Sequence, residues 1–386
     1  MADTTGDPDM PSVSPFKRRS FLASAALAAT APVALAGSAA AAQKAEPQDA
    51  IDYGDYGCVA RLLRIPERRR DLDWLRQSLQ HAVELELATI PPYLCGWWSI
   101  IDRKCEAARL IRRIVGDEMY HLGVVCNLLV AVGGRPRITE ALASYPGPLP
   151  GGVRPEVTVY LSGLTKSYVH DVMMAIEAPE DPLTEARDTA STVGDFYTAL
   201  LTAFRTLAPE LSTQGQLSER IGSDVLEPID SLSAVERAID IIKEQGEGTV
   251  SSPAEQFDDD QPAHYYAFGE IYHGRRLRKV GRTWQFTGEP VPFPDVRPMG
   301  RVPLGGWPSP PARVRKLLDH FDATFMAVLA NLETAWADGD PRALRVAVHA
   351  MHGMENPALE LMEIEIPDAP GTYGPQFRTS LPTGLT

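Results

Sequence analysis

Residues 107–132 read AARLIRRIVGDEMYHLGVVCNLLVAV. Helical positions three and four apart share a face, and Ala107, Ile111, Ile114, Val125, Leu128 and Val132 form one apolar row. Glu118 and His121 fall in that row, spaced E-x-x-H. The preceding segment carries the same anomaly: Leu72, Leu75, Leu79, Ala82 and Ile90 line up, with Glu86 among them. Two such helices packed row to row bury two carboxylates and an imidazole, and an unpaired buried carboxylate costs several kcal/mol. A metal ion removes that cost. One Glu from a helix with Glu-x-x-His from the next is half of a carboxylate-bridged dimetal site in a helical bundle. The competing reading is a fixed Glu–His network in a metal-free helical binding protein.

Phase selects these residues over their neighbours. Glu84 lies about 200° around the helix from Glu86, and Asp117 about 100° off the Glu118 row, so both are expected to be solvated or paired. The second half-site is sought downstream, where Glu270-Ile-Tyr-His273 repeats E-x-x-H and Glu247 precedes it. The pattern then reads Glu86, Glu118, His121 and Glu247, Glu270, His273, with His264 a rival imidazole. Asp195 lies opposite the apolar row of its own helix, and Glu355, with His349 and His352 close by, offers another source of ligands. Carboxylate-rich donors with one imidazole per ion suit two iron ions, or alternatively manganese, better than copper or structural zinc.

Around these motifs the chain reads as mainly α. Helices are expected from about 71 to 89, with a kink at Pro91-Pro92 and a continuation towards Ile101, and from 105 to 132, stopped by Gly133-Gly134. Further helices are expected at about 162–178, 190–208, 232–245, 262–277, 312–337 and 341–363. Pro/Gly-rich loops fill 278–312, with a short strand or two near Thr283–Phe286. The organisation expected is an export signal over 1–42, an irregular arm over 43–70, a helical domain over 71–366 and an extended tail over 367–386.

The chain of 386 residues has 51 acidic against 37 basic side chains, a formal net charge of −14. That balance opposes nucleic-acid binding, which needs basic patches. No apolar run after residue 45 is expected to span a bilayer. Residues 17–22, Lys-Arg-Arg-Ser-Phe-Leu, precede an alanine-rich stretch and small residues up to Ala42. This is the pattern of a twin-arginine signal, and it implies export by the twin-arginine machinery to a periplasmic or secreted location. The four cysteines include no C-x-x-C pair, which argues against a zinc ribbon or thioredoxin-like motif. Cys95 and Cys105 flank a helix connection and either pair or serve as small core residues. No phosphate loop and no G-x-S-x-G elbow is present.

Five segments together resemble a known family: LELATIPPYL (85–94), DEMYHL (117–122), NLL (127–129), QGEG (245–248) and HYYAFGEI (264–271). They resemble the ferritin-like domain of the iminophenyl-pyruvate dimer synthase family, which includes the violacein-pathway enzyme, over about residues 70–365. The resemblance implies a ferritin-like helical bundle and a dimetal site. It supports Glu86, Glu118 and His121 position by position, and draws attention to Glu247, His264 and Glu270 without assigning them roles. The expected function is an exported non-haem diiron oxidoreductase that uses dioxygen or peroxide on a small, aromatic or amino-acid-derived substrate. A ferroxidase or a dimanganese catalase is the nearest alternative.

Overall fold

The computed structural model describes residues 59–179, 193–248, 252–253 and 261–378. The chain divides into Met1–Tyr53, which lies outside the described residues together with the whole export signal, and a body, Gly54–Thr386. The body is built from helices around one continuous apolar core.

A short helix α1 (Val59–Leu63) leads into the long α2 (Leu72–Ser99). Asp71 caps α2 by accepting from the Trp74 N–H at 2.9 Å, which satisfies one of the free donors of the first turn. The helix runs through Pro91 and Pro92 as one element, in keeping with the continuation expected beyond the two prolines. Pro92 has no N–H to give to the Ala88 carbonyl. The Tyr145 hydroxyl donates to that carbonyl instead, at 2.8 Å, so the lost bond is replaced from outside the helix.

The core helix α3 (Glu106–Ala131) packs along α2. It is long and apolar enough to cross a membrane by length and composition alone, a property not expected of the chain beyond residue 45. Its apolar window is 89 % buried inside the body, as befits a helix surrounded by other elements. Asn127 anchors it: the amide donates to the Leu217 and Glu227 carbonyls and accepts from the Leu217 N–H and the Trp336 indole.

The next helical rod has three consecutive parts: α4 (Lys166–Tyr168), a π-helical turn over Val169–Met174, and α5 (Ala175–Glu177). Helices α6 (Val193–Leu207), α7 (Leu232–Glu247) and α8 (His264–His273) follow. A hairpin of α9 (Ala312–Asp338) and α10 (Pro341–Leu361) closes the body. Among the described residues, strands are confined to three two-stranded antiparallel ribbons. β1 (Gly147–Pro148) pairs with β2 (Thr158–Val159), β3 (Glu219–Ile221) with β4 (Asp224–Leu226), and β5 (Arg278–Val280) with β6 (Thr283–Gln285). The three described cysteines, Cys95, Cys105 and Cys126, are unpaired. Cys105 caps α3, its Sγ accepting from the Ala108 N–H.

Candidate metal centre

Glu86 comes from α2, Glu118 and His121 from α3, Glu177 from the end of α5, and His264 from the first position of α8. All five are buried. They form two three-donor groups, Glu86/Glu118/His121 and Glu118/Glu177/His264, in each of which the ligand atoms lie within 4.8 Å of one another. Glu118 belongs to both. The arrangement is therefore two donor sets joined through one carboxylate.

Each imidazole is held from behind. His121 Nε2 lies 2.7 Å from Gln245 Oε1, which can only accept, so Nε2 donates and Nδ1 faces the carboxylates. His121 Nδ1 is 3.6 Å from Glu86 and 3.7 Å from Glu118. Those distances are too long for hydrogen bonds, yet they leave three donors facing a common point. His264 repeats the arrangement: Nε2 donates to Asp117 Oδ2 at 3.2 Å. Its Nδ1 lies 2.9 Å from Glu118 Oε1 but makes no hydrogen bond, and the ring is fully buried. A buried ring nitrogen without a hydrogen-bond partner, beside two carboxylates, is the chemistry of a metal ligand. The donor set of three carboxylates and two imidazoles thus fits a pair of divalent ions.

The carboxylates are also held. Thr89 Oγ1 donates to Glu118 Oε2 at 2.7 Å. Tyr93 Oη donates to Glu177 Oε1 at 2.5 Å, and Tyr197 Oη to Glu86 Oε1. Burial and the neighbouring carboxylates keep both phenols protonated, well above their ordinary range. Burial, with Glu177 nearby, pushes Glu118 up to about 7 against the pull of the two imidazoles. Burial works against charge on His121, but Glu86 and Glu118 outweigh it and raise the ring to about 9. Burial likewise disfavours charge on Asp117, yet His264 and Arg113 keep its carboxyl below the usual range. The site thus attracts positive charge from every direction.

A cavity of about 40 Å³ adjoins the centre, bounded by Glu86, Glu118, His121, Glu177, Tyr197 and Glu247 and by apolar side chains such as Leu85, Leu149 and Ile242. That is room for roughly two or three water-sized molecules. Glu247, the last residue of α7, stands on its wall outside both donor groups and accepts from the Gly194 N–H at 2.9 Å. A Cβ at position 194 would meet the Glu247 carboxylate at 2.4 Å, so glycine is what lets the side chain approach. Burial, offset in part by the Gly194 bond, Arg154 and Lys243, raises Glu247 to about 7.

The expected ligand candidates divide accordingly. Glu86, Glu118, His121 and His264 converge, and Glu247 borders the same cavity. Glu270 and His273 are a correction, because the structure places both elsewhere. The Glu270 carboxylate accepts from Arg276 at 2.7 Å and from the Leu277 N–H at 2.9 Å, tying α8 to the chain that follows. His273 is exposed, its ring stacked on Phe286 at 4.2 Å. The second E-x-x-H is thus a coincidence of spacing: α8 turns its first residue, not its last, towards the centre. Glu84 is paired with His81 at 2.7 Å, as expected, and Glu355 with Arg103. One contributor went unread. Glu177 continues the row Val169, Met173 at four-residue steps, the signal that singled out Glu86. Asp117, off the ligand row as expected, is buried and orients His264.

Comparison with known proteins agrees with this architecture. A family model described as ferritin-like matches residues 79–273, half of the chain. The chain belongs to the ferritin-like family: a helical bundle with buried carboxylate–histidine clusters consistent with a dimetal site. It is similar to a solved structure, a ferritin-like protein from Caulobacter vibrioides, with 25 % identity and a TM-score of 0.56 over 79 % of this chain and 97 % of that one. No curated protein matches the chain.

Proposed function

We propose that the chain is a non-haem dimetal oxidoreductase, holding two iron ions or alternatively two manganese ions. In this reading it uses dioxygen or peroxide to oxidise a small organic substrate, aromatic or derived from an amino acid. The observation that carries the reading is Glu118, shared by two buried three-donor groups, each completed by an imidazole nitrogen turned inward. Glu86, Glu118 and His121 would hold one ion, and Glu118, Glu177 and His264 the other. The ion pair would supply the redox equivalents. Glu247 would add the fourth carboxylate, which balances the charge of two divalent cations.

The chain's own side chains do the rest. Gln245 and Asp117 fix the two rings in the tautomer that leaves Nδ1 free. Thr89 holds the shared carboxylate, and Tyr93 and Tyr197 hold the two outer ones. Leu85, Leu149 and Ile242 limit water in the cavity. The organic substrate class is supported by the motifs shared with the iminophenyl-pyruvate dimer synthase family. Export to the periplasm or beyond, through the twin-arginine machinery, is supported by Lys17-Arg18-Arg19 and the alanine-rich stretch after it. The small cavity favours a second reading, in which peroxide or dioxygen is handled without an organic partner, as in a catalase or ferroxidase.

Elemental analysis of protein purified without added metal tests the proposal. Two iron or manganese ions per chain are expected, with at least one position emptied by Glu118→Gln or by His264→Ala and none by Glu84→Ala. Metal-free wild-type protein, or equal metal content in all three variants, sinks it. Peroxide loss without organic product selects the second reading.

A further inference from the structure

We infer that the β5–β6 ribbon is a docking element for an anionic lipid surface, its tip laid into the headgroup layer. Residues 274–288 read GRRLRKVGRTWQFTG and hold five of the chain's 37 basic side chains and none of its 51 acidic ones. Of the five, Arg276 is paired with Glu106 and Glu270. Among the described residues no carboxylate pairs with Arg275, Arg278, Lys279 or Arg282, and all four are exposed. In a chain of net charge −14, that is a local cationic excess for which the fold itself has no use.

The base of the ribbon is fixed and its tip is free. At the base Phe286 stacks on His273 at 4.2 Å and takes the space a side chain at Gly269 would need, since a Cβ there would meet Phe286 at 2.5 Å. The two-residue turn Gly281-Arg282 closes the far end, with Gly281 supplying the left-handed backbone at φ +65° that such a turn requires. A Cβ at Gly281 would meet nothing within 4 Å, so the tip stands clear of the body. Paired residues of an antiparallel ribbon share a face: Val280 with Thr283, and Lys279 with Trp284. Val280 is 38 % exposed, and Lys279 Nζ lies over the Trp284 ring, 5.7 Å from its centre.

This combination suits a lipid headgroup layer. A Trp ring is amphipathic and settles at headgroup level. Long basic side chains beside it reach the phosphates while their stems cover apolar surface, and an apolar tip enters between them. A nucleic acid asks for a basic footprint along an extended polyanion, and the acidic body behind the ribbon repels one. The body is repelled by an anionic bilayer as well, which confines the contact to the ribbon and leaves the rest in solution. A folded acidic partner asks for donors held in fixed positions, whereas the Lys279 and Arg282 side chains make no hydrogen bond among the described residues. The inference is independent of the metal centre and goes beyond the oxidoreductase reading.

The test is sedimentation of the full chain with phosphatidylcholine vesicles, with and without phosphatidylglycerol. Binding that depends on phosphatidylglycerol and weakens steeply as salt rises is expected. Each cation near such a surface is worth about fivefold in affinity, so Arg278→Ser, Lys279→Ser and Arg282→Ser together should cost about a hundredfold, at unchanged circular dichroism. Arg282→Glu alone, a charge reversal on the exposed turn, should cost about 25-fold. These variants, made in the same full chain, subtract any adhesion of the alanine-rich N-terminal stretch. Bound wild type should also show a blue shift of tryptophan fluorescence that Trp284→Phe removes. Failure to bind phosphatidylglycerol vesicles at low salt overturns the inference. Binding that both charge variants retain in full, or a blue shift that persists in Trp284→Phe, overturns it too. Binding of a DNA duplex without binding of vesicles would give the ribbon a different occupant and overturn it likewise.

Discussion

Asp117 and Glu118 are adjacent in sequence and serve one imidazole from two sides. Asp117 accepts from His264 Nε2, and Glu118 lies beside the ring's Nδ1. Replacing Asp117 by Asn keeps an acceptor of the same size but removes the charge, and its NH2 group can turn towards the ring. Outer partners of metal-bound histidines are worth about 10–100-fold in affinity. Asp117→Asn should therefore weaken the second of two ions by about that factor while the first, on Glu86 and His121, is retained. A calorimetric titration with ferrous ion under nitrogen reads the two steps apart, and two unchanged steps would remove the positioning role. The same neighbourhood tells what the sequence disclosed. Glu86, Glu118 and His121 were legible because each interrupts an otherwise apolar row, and burial makes such an interruption costly. Glu177 obeyed the same rule, but it closes a rod with a π-helical turn and has no E-x-x-H to mark it. Glu270 and His273 had the spacing too, but Arg276 and Phe286 account for them instead.

At the scale of elements, the centre depends on α2 and α3 staying in register, and each is pinned by a polar contact from a distant segment. Tyr145 repairs α2 at Ala88. Asn127 fixes α3 to Leu217, Glu227 and Trp336 through four hydrogen bonds, three of them fully buried. Each buried group left without a partner costs about 1–3 kcal/mol. Asn127→Ala strands the Leu217 N–H, the Trp336 indole and a carbonyl, so a loss of about 3 kcal/mol or more is expected in urea denaturation. The protein that remains folded should still bind metal, since Asn127 lies outside both donor groups. A loss within experimental scatter of zero would mean that α3 is held by apolar packing alone. Helix positions were legible in the sequence to within a few residues, from period and caps. The repair of α2 at Ala88 was not, because the hydroxyl that compensates for Pro92 comes from far along the chain.

At the scale of the whole body, the last described segment is fastened over α9 by one acidic side chain. Asp322 is buried and accepts from Gln376 Nε2 at 2.8 Å and from the Arg378 N–H at 3.1 Å. Between them Phe377 packs against Phe321 and Phe325 and stacks on Trp98. The sequence suggested only an extended tail, since nothing in a lone Asp on a helix announces which distant backbone it will hold. Burial raises Asp322 to about 6, against the opposing pull of those two hydrogen bonds and of Arg378. The unfolded chain titrates near the ordinary 3.8. Between about pH 4 and pH 6 the folded state therefore binds more protons than the unfolded state, and stability falls as pH rises through that window. The shift corresponds to about 1–3 kcal/mol, fully present as stabilisation below pH 4 and lost above pH 6. Asp322→Asn abolishes the titration. Its stability relative to wild type should thus rise by about 1–3 kcal/mol between pH 4 and pH 7, whatever constant difference the amide introduces. Urea denaturation of both proteins at the two pH values, in the same metal state, cancels the titration of every other group. A difference that stays flat with pH would mean that Asp322 titrates alike in the folded and unfolded chains, and that the segment is held by a carboxylate at little electrostatic cost.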